Sequence, residues 1–247
     1  TVSDFDGSDI SISALSSDGR ALLAEINEII DGTFVDPDAD TIISMERDAY
    51  FEMVLAAQTR INDLKAITRL FHSERSVFDH VMKGAKGSAQ VTANLRAVRP
   101  FNGGASEHVD FHRESFFNPD MAHAWNIWIP VRNVTPDNAP KFIPDSQLIP
   151  NAEIGTVNAG EQTGLVKRYA AGHKIGFLYD PIHIVSGVDF STVETLYVPP
   201  GHIALFNANL IHGAGINETG KIRFSLDFSI IPTEKIQHRG YSFAADG

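Results

Sequence analysis

Potential metal ligands are densest in residues 107–114, which read Glu-His-Val-Asp-Phe-His-Arg-Glu. In a β-strand alternate side chains share a face, so His108, Asp110, His112 and Glu114 would project the same way. A histidine and a carboxylate two residues apart can supply two adjacent positions of an octahedral metal, and a third ligand would complete a facial triad with open positions. The sequence therefore offers two overlapping pairs, His108 with Asp110 and His112 with Glu114.

A third potential ligand and a carboxylate-binding pair lie further along the chain. Residues 199–213 contain a Pro-Pro-Gly turn, a strand-like run and then His212, which is followed by glycine and so has space beside it for a ligand. Arg223 and Ser225 then open a strongly alternating run and share a face by period two. Because a guanidinium and a hydroxyl can together bind a carboxylate, the pattern predicts a carboxylate-binding floor beside a metal.

The N-terminal third of the chain has the apolar spacing of helices. Residues 1–18 are rich in Ser, Asp and Gly and predict an extended or frayed arm. A first helix is predicted from Asp18, with Gly32 as its stop, and further helices over residues 45–70 and 73–82. None of these helices contains a pattern typical of catalysis.

After residue 87 the chain consists of short β-rich runs separated by Gly, Pro and Asn, which is typical of an all-β arrangement. No linker composition separates these runs from the helices, so we predict a mainly β single domain over residues 1–247 with N-terminal helices. The helical layer (1–87) would pack on a β-barrel or sandwich (88–232) that is followed by a tail (233–247). The predicted strands cover residues 90–98, 108–116, 125–131, 196–198, 202–206 and 222–231.

Composition excludes several classes of function. The 31 acidic and 20 basic residues give a net charge of −11, which disfavours binding to nucleic acid or anionic lipid. Because there is no cysteine, any metal must bind His, Asp or Glu, and cysteine nucleophiles are excluded. No run approaches the ~20 apolar residues that span a bilayer, and the first residues lack a signal-peptide pattern. We therefore expect a soluble, cytoplasmic protein without nucleic-acid or membrane partners.

The order of the motifs resembles the iron(II)- and 2-oxoglutarate-dependent oxygenases. It runs His-x-Asp/Glu, then Trp-Asn-Ile-Trp-Ile-Pro from Trp125, Pro-Gly-x(4)-Phe from Pro200, His212 and finally Arg223. Over about residues 88–232 the chain is most similar to the phytanoyl-CoA dioxygenase superfamily, including its branches in small-molecule and antibiotic biosynthesis. The resemblance implies a double-stranded β-helix, or jelly roll, that holds iron(II) at one end. It also implies that 2-oxoglutarate chelates the metal while the arginine binds its distal carboxylate.

Transferred residue by residue, the resemblance implies that His112, Glu114 and His212 bind the iron. The family has a short polar loop after its carboxylate ligand and then an Asn-x-Trp-x-Pro strand, and the sequence fits this order when Glu114 is the ligand. The family more often has Asp at this position, so His108 and Asp110 remain the alternative first pair.

The resemblance also implies residues for the cosubstrate. Arg223 with Ser225 would hold the distal carboxylate of 2-oxoglutarate, and Asn126 is a candidate for the carboxylate nearest the iron. The long segment over residues 151–191 is a candidate lid over the site. The candidate substrate contacts are Trp128, Arg132, Tyr169 and His183.

The implied reaction oxidises a small-molecule substrate with O2 and converts 2-oxoglutarate to succinate and CO2. Both ligand pairs keep a carboxylate, whereas the halogenating branch of the family replaces it with a small residue, so hydroxylation, desaturation or ring closure is favoured. Two other hypotheses stay open. A cupin-type metal-dependent isomerase or dioxygenase without 2-oxoglutarate would use more histidines and would not need Arg223. A non-catalytic jelly-roll binding module would hold at most a structural metal.

Overall fold

The protein was analysed as a computed structural model, which describes residues 10–101, 110–158, 182–237 and 243–245. Within these residues five α-helices lie near the N-terminus, and the paired strands that follow are antiparallel. The predicted mainly β architecture with N-terminal helices is therefore confirmed. The helices are α1 (Ser17–Phe34), α2 (Asp40–Ile43), α3 (Arg47–Asp63), α4 (Ala66–Ser73) and α5 (Arg75–Met82).

The strands of the described residues form three sheets. They are β1 (Ile10–Ala14), β2 (Gly87–Gln90), β3 (Asn94–Val98), β4 (Trp125–Arg132), β5 (Lys141–Phe142), β6 (Gly155–Asn158), β7 (Ile182–Ser186), β8 (Glu194–Thr195), β9 (His202–Asn207), β10 (His212–Gly213), β11 (Arg223–Pro232) and β12 (Phe243–Ala245). The large sheet has the order β1-β9-β4-β11-β2-β12, with β3 also paired to β11. A small sheet has the order β10-β5-β8, and β6 pairs with β7.

Helix α1 begins at a capped end and runs past the glycine that was expected to stop it. The Ser16 hydroxyl accepts a hydrogen bond from the Gly19 N–H at 3.0 Å, and the Glu74 carboxylate accepts from both the Ser16 N–H and its hydroxyl. Gly32 lies inside the helix, which continues to the fully buried Phe34. The prediction of the helix end was wrong because burial of Phe34 outweighs the low helix propensity of glycine.

Other boundaries differ from the sequence predictions in identifiable ways. The helix predicted over residues 45–70 is divided into α3 and α4, because Lys65 adopts a left-handed φ of 54° between them. Within the predicted N-terminal arm, β1 pairs with β9, and the strand predicted over residues 196–198 is replaced by β8 just before it. The predicted strands at β4, β9 and β11 are confirmed. None of the helices that the structure describes combines the length and the apolar character needed to cross a membrane.

Strand β11 separates the helix-packed core from the opposite side of the large sheet. Its alternate residues Phe224, Leu226, Phe228 and Ile230 are buried in the core that the sheet shares with the helices. Because side chains alternate along a strand, the intervening residues, from Arg223 to Ser229, face away from the helices. We call this second side the inner face.

A β-bulge in β4 changes the direction of its last side chain. Ser225 pairs with Pro130 and Phe224 pairs with Arg132, so the intervening residue of β4 is extra. The guanidinium of Arg132 bonds to Asn27 and Asp31 of α1, at 3.0 and 2.6 Å. Arg132, which the sequence suggested as a substrate contact, is therefore directed to the helices and not to the inner face.

We expect Phe228→Ala to lower the free energy of unfolding by about 3–5 kcal/mol, because it would leave a cavity between β11 and the helices. Phe228 is 1% exposed, whereas Val185 on β7 is 59% exposed. Val185→Ala is therefore the control and should change the free energy by about 0.5 kcal/mol or less. Urea denaturation would measure both variants, and equal losses would contradict the assignment of this core.

Candidate metal centre

The backbones of His112 and His212 are joined to each other in an isolated antiparallel bridge. The His112 N–H donates to the His212 carbonyl and the His212 N–H donates to the His112 carbonyl, each at 2.9 Å. Their ring centroids are 4.5 Å apart. This reciprocal bonding places two imidazoles side by side although they are far apart in the sequence.

Glu114 reaches the two histidines from a 3₁₀ helix over Glu114–Phe116, not from a strand. Its N–H donates to the Ala208 carbonyl at 3.0 Å. Its Oε1 atom lies 3.6 Å from His112 Nε2 and 4.0 Å from His212 Nε2. The strand predicted over residues 108–116 is therefore wrong at Glu114, although the side chains it was meant to align do meet. One ligand atom from each residue lies within 4.8 Å of the others, so the three could hold a single metal ion.

Both imidazole rings are oriented by backbone carbonyls. His112 Nδ1 lies 2.7 Å from the Asp110 carbonyl oxygen, and His212 Nδ1 lies 2.8 Å from the Leu210 carbonyl oxygen. A carbonyl only accepts hydrogen bonds, so each Nδ1 is the protonated nitrogen and donates. Each Nε2 then carries the lone pair, which is the arrangement of histidines that bind metals.

Burial keeps His212 neutral. Removal from water lowers its pKa to about 4, and the neighbouring His112 acts in the same direction, while Glu114 opposes the shift. A histidine must be unprotonated to bind a metal. At neutral pH the His212 ring is therefore already in the form that binds, with Glu114 supplying a carboxylate beside it.

Close backbone packing holds the His212 strand against the His112 segment. A Cβ atom at Gly213 would lie 3.1 Å from the Phe111 nitrogen and 3.3 Å from the Asp110 carbonyl carbon. A larger residue would press these backbones apart. The ring of Phe206 packs edge-on against His212, with centroids 4.9 Å apart. Glycine after the histidine thus permits the approach that the paired backbones require.

Of the alternative first pair, His108 and Asp110, only Asp110 lies within the described residues. His108 lies outside them, and Asp110 is not part of the ligand cluster that His112, Glu114 and His212 form among the described residues. Asp110 instead contributes its backbone carbonyl, which orients His112. The geometry favours His112 with Glu114, and their binding of a metal stays a prediction.

Arg223 and Ser225 lie together on the inner face with unsatisfied polar atoms. Arg223 is 2% exposed, and its Nη1 donates to the Asn138 carbonyl at 2.6 Å. Its Nε and the Ser225 hydroxyl are buried without a hydrogen-bond partner. Burial lowers the pKa of Arg223 to about 10, which still leaves it a cation at neutral pH. Buried donors without partners are costly, so this pair has the character of a receptor for an anionic ligand.

Asn126 connects this inner face to the metal ligands. Its Nδ2 lies 3.4 Å from His212 Nε2, and its Oδ1 accepts a hydrogen bond from the Ser229 hydroxyl at 2.7 Å. Ser229 shares the inner face of β11 with Arg223 and Ser225. Arg223, Ser225 and the two histidines therefore lie on the same side of the large sheet, as the predicted site requires.

The remaining substrate candidates are not brought together in the described residues. Trp128 is buried against Leu196 and Phe206 in a small apolar cluster. His183 lies on β7 opposite Val157 of β6, and Tyr169 lies outside the described residues. Their contact with a substrate stays a prediction.

Sequence reasoning missed Asp227 as a member of the inner face. Its carboxylate accepts hydrogen bonds from Arg96 Nε at 2.5 Å and from Asn94 Nδ2 at 2.7 Å. Asp227 follows Arg223 and Ser225 at the same period of two, so the alternation of β11 could have identified it. An ion pair thus lies beside the carboxylate-binding residues.

The family resemblance is confirmed by a match to a protein-family model. The model described as phytanoyl-CoA dioxygenase (PhyH) matches residues 18–225. This span includes both histidines, Glu114, Arg223 and Ser225. No curated protein matches the chain in sequence.

Several solved structures share the fold. EvdO2 from Micromonospora carbonacea var. aurantiaca, crystallised with 2-oxoglutarate, has 16% identity and a TM-score of 0.57, covering 98% of this chain and 91% of its own. The non-heme monooxygenase ThoJ in its apo form has 13% identity and a TM-score of 0.56, covering 98% and 82%. The epimerase SnoN, in complex with Fe3+, alpha ketoglutarate and nogalamycin RO, has 12% identity and a TM-score of 0.50, covering 98% and 90%. At these identities the likeness concerns the fold alone.

We expect Glu114→Gln to weaken iron(II) binding by about 100-fold or more, because a ligand contributes more than the outer partners whose loss typically costs 10–100-fold. Asp110→Asn is the matched control, since its orienting contact is made by the backbone, and it should bind iron(II) as the wild type does. Anaerobic titration followed by calorimetry would measure both. Normal binding by Glu114→Gln with loss in Asp110→Asn would transfer the carboxylate role to Asp110.

Proposed function

Because the chain belongs to the phytanoyl-CoA dioxygenase family, we propose that it is an iron(II)- and 2-oxoglutarate-dependent oxygenase that acts on a small molecule. One observation carries the proposal. The ligand cluster of His112, Glu114 and His212 lies on the same side of the large sheet as the buried, incompletely bonded pair Arg223 and Ser225. A metal chelator with a remote carboxylate would engage both groups.

We further propose that the fold is a double-stranded β-helix, or jelly roll. The large antiparallel sheet and the small sheet β10-β5-β8 support this proposal, since the fold consists of two such sheets face to face. His212 opens β10 of the small sheet, whereas Arg223 opens β11 of the large sheet. The site would then lie between the two sheets, with the helices covering the outer side of the large one.

The three residues would bind the metal and leave its other coordination positions open. His112, Glu114 and His212 would occupy three positions, and neutral imidazoles with one carboxylate leave a net positive centre for an anionic chelator. When bound, iron(II) would supply positions for 2-oxoglutarate and O2 and couple oxidation of a substrate C–H bond to release of succinate and CO2. The retained carboxylate of Glu114 supports hydroxylation, desaturation or cyclisation over halogenation.

The inner face would orient the cosubstrate. Arg223 Nε and the Ser225 hydroxyl would donate to the distal carboxylate of 2-oxoglutarate, which would satisfy the two buried atoms that now lack partners. Asn126 lies beside His212 Nε2 and would bind the carboxylate nearest the metal. Because Arg223 is buried, its interaction with an anion is screened little by water.

The same residues separate this proposal from its alternatives. A cupin-type enzyme without a 2-oxo acid would gain nothing from a buried cation with unpartnered atoms behind the metal. A binding module would not need two imidazole Nε2 atoms within 4.0 Å of one carboxylate oxygen. The Arg223 and Ser225 pair therefore favours the oxygenase.

We expect Arg223→Gln to weaken 2-oxoglutarate binding by at least about 30-fold, because losing one partner of a buried charge pair costs 2–5 kcal/mol. The measurement is the weak visible charge-transfer band that forms when 2-oxoglutarate is added anaerobically to the iron(II) protein. Arg132→Gln, an arginine on the helix side of the same sheet, should leave the band and its titration unchanged. Equal affinities in the wild type and Arg223→Gln would exclude Arg223 as the cosubstrate anchor.

We expect the iron(II) protein to release succinate from 2-oxoglutarate when O2 is admitted, slowly without a substrate and faster with one. Glu114→Ala should abolish this release, because it removes the carboxylate that helps to hold the metal. Asp110→Asn should retain it. Succinate would be measured by mass spectrometry, and its absence from the wild type with bound iron(II) and 2-oxoglutarate would refute the oxygenase proposal.

A further inference from the structure

Arg113, between two of the metal ligands in the sequence, is the largest fully buried side chain of the described residues. Its guanidinium donates to the Ser146 carbonyl, to the Ile149 carbonyl at 2.7 Å and to Asn151 Oδ1 at 2.9 Å. Within the described part of the chain it forms no ion pair, so neutral acceptors and the ring of Phe116, 5.7 Å from the guanidinium carbon, hold this cation. All three acceptors belong to residues 146–151.

Ser115, on the other side of Glu114, bonds to the same short segment. Its hydroxyl accepts a hydrogen bond from Asn151 Nδ2 at 3.2 Å and donates to Asn209 Oδ1 at 2.5 Å. Asn151 therefore contacts the residues on both sides of Glu114. A single amide links the carboxylate-bearing turn to residues 146–151.

Residues 146–151 also hold the chain that leads to the second histidine. The Ser146 hydroxyl accepts a hydrogen bond from the Ile211 N–H at 2.7 Å, directly before His212. Asn209 Nδ2 donates to the Gln147 carbonyl at 3.2 Å. The two chain segments that carry the ligands are thus fastened to one common element that contributes no ligand itself.

We propose that residues 146–151 are a brace that positions the metal ligands, with Arg113 and Asn151 as its main attachments. The proposal rests on the proposed function only in taking His112, Glu114 and His212 as metal ligands. Arg113, Ser146 and Asn151 are positioning residues, since none of them belongs to the ligand cluster.

The geometry explains why a brace is required. Glu114 lies in a single turn of 3₁₀ helix, whose hydrogen-bond geometry is poorer than that of an α-helix. A functional ligand must be held to about 0.5 Å by the residues around it. The brace supplies this restraint through the neighbours of Glu114 on both sides, and through Ile211 beside His212.

The brace predicts a loss of metal affinity that is separate from any loss of stability. Asn151→Ala removes the shared amide at an exposed position, and Arg113→Lys keeps the charge but cannot reach three acceptors. Both should weaken iron(II) binding by about 10–100-fold, as expected for partners that orient ligands. Both should also alter the visible spectrum of the Co(II)-substituted protein. Asn151→Asp keeps the acceptor for Arg113 and should restore most of the affinity.

Asn62→Ala is the matched control. Asn62 bonds to both the N–H and the carbonyl of Ala93, at 2.8 and 3.0 Å, between α3 and the chain before β3. Its loss should lower the unfolding temperature without changing iron(II) affinity or the Co(II) spectrum.

The outcomes distinguish the brace from the proposed function. If Asn151→Ala and Arg113→Lys lose stability but bind iron(II) as the wild type and Asn62→Ala do, the brace is overturned. If Arg113→Lys does not fold, Asn151→Ala alone decides. If the wild type binds iron(II) but not 2-oxoglutarate, the proposed function fails while the brace is still tested by the metal titration. A wild type that binds no metal would overturn both.

Discussion

Two histidines a hundred positions apart in the sequence meet because their backbones exchange a pair of hydrogen bonds. This pairing sets the spacing of the imidazoles independently of any ligand, and the carbonyls of Asp110 and Leu210 then fix how each ring is turned. Glu114 completes the cluster from a 3₁₀ turn whose N–H donates to the Ala208 carbonyl, in the segment that leads to His212. The spacing and orientation of the two imidazoles are therefore set by main-chain contacts, whereas the turn that carries Glu114 is also held by the side chains of Arg113 and Ser115.

Two buried arginines near the site differ in how their donors are used. Burial lowers the pKa of both Arg113 and Arg223 to about 10, because a guanidinium loses hydration there, yet both remain charged at neutral pH. Both Nη atoms of Arg113 donate to carbonyl and amide oxygens of the protein, although its Nε is buried without a partner. Arg223 makes one bond to the Asn138 carbonyl and keeps an unpartnered Nε beside the equally unpartnered Ser225. Within the described residues Arg113 is thus held to residues 146–151 through both Nη atoms, whereas Arg223 makes one such bond and lies beside a second donor without a partner.

The sequence predicted the long strands and the cluster of His112, Glu114 and His212. It did not predict all of the backbone features that bring these residues together. Strand β11 was predictable because its alternation of polar and apolar residues is regular from Arg223 to Ile230. Glu114 was aligned with His112 on the assumption of a strand and preferred over Asp110 through the family resemblance, whereas a helical turn brings it to the histidines. A short polar run carries no periodic signal that would have shown this turn. The Arg132 side chain points to the helices because of a bulge in β4, which is visible only in the pairing of β4 with β11. The contacts of Arg113 depend on residues 146–151, which have no recognisable pattern and are distant in sequence.

The pairing of β6 with β7 has a consequence for how this scaffold can diversify. Asn158 and Ile182 lie opposite each other in that ladder, so the two ends of the intervening sequence are held side by side by the strands. Insertions or deletions there would not alter the separation of the strand ends, and the loop-closure entropy changes slowly with length. The length of sequence between these two residues can therefore vary without a change in the pairing of β6 with β7.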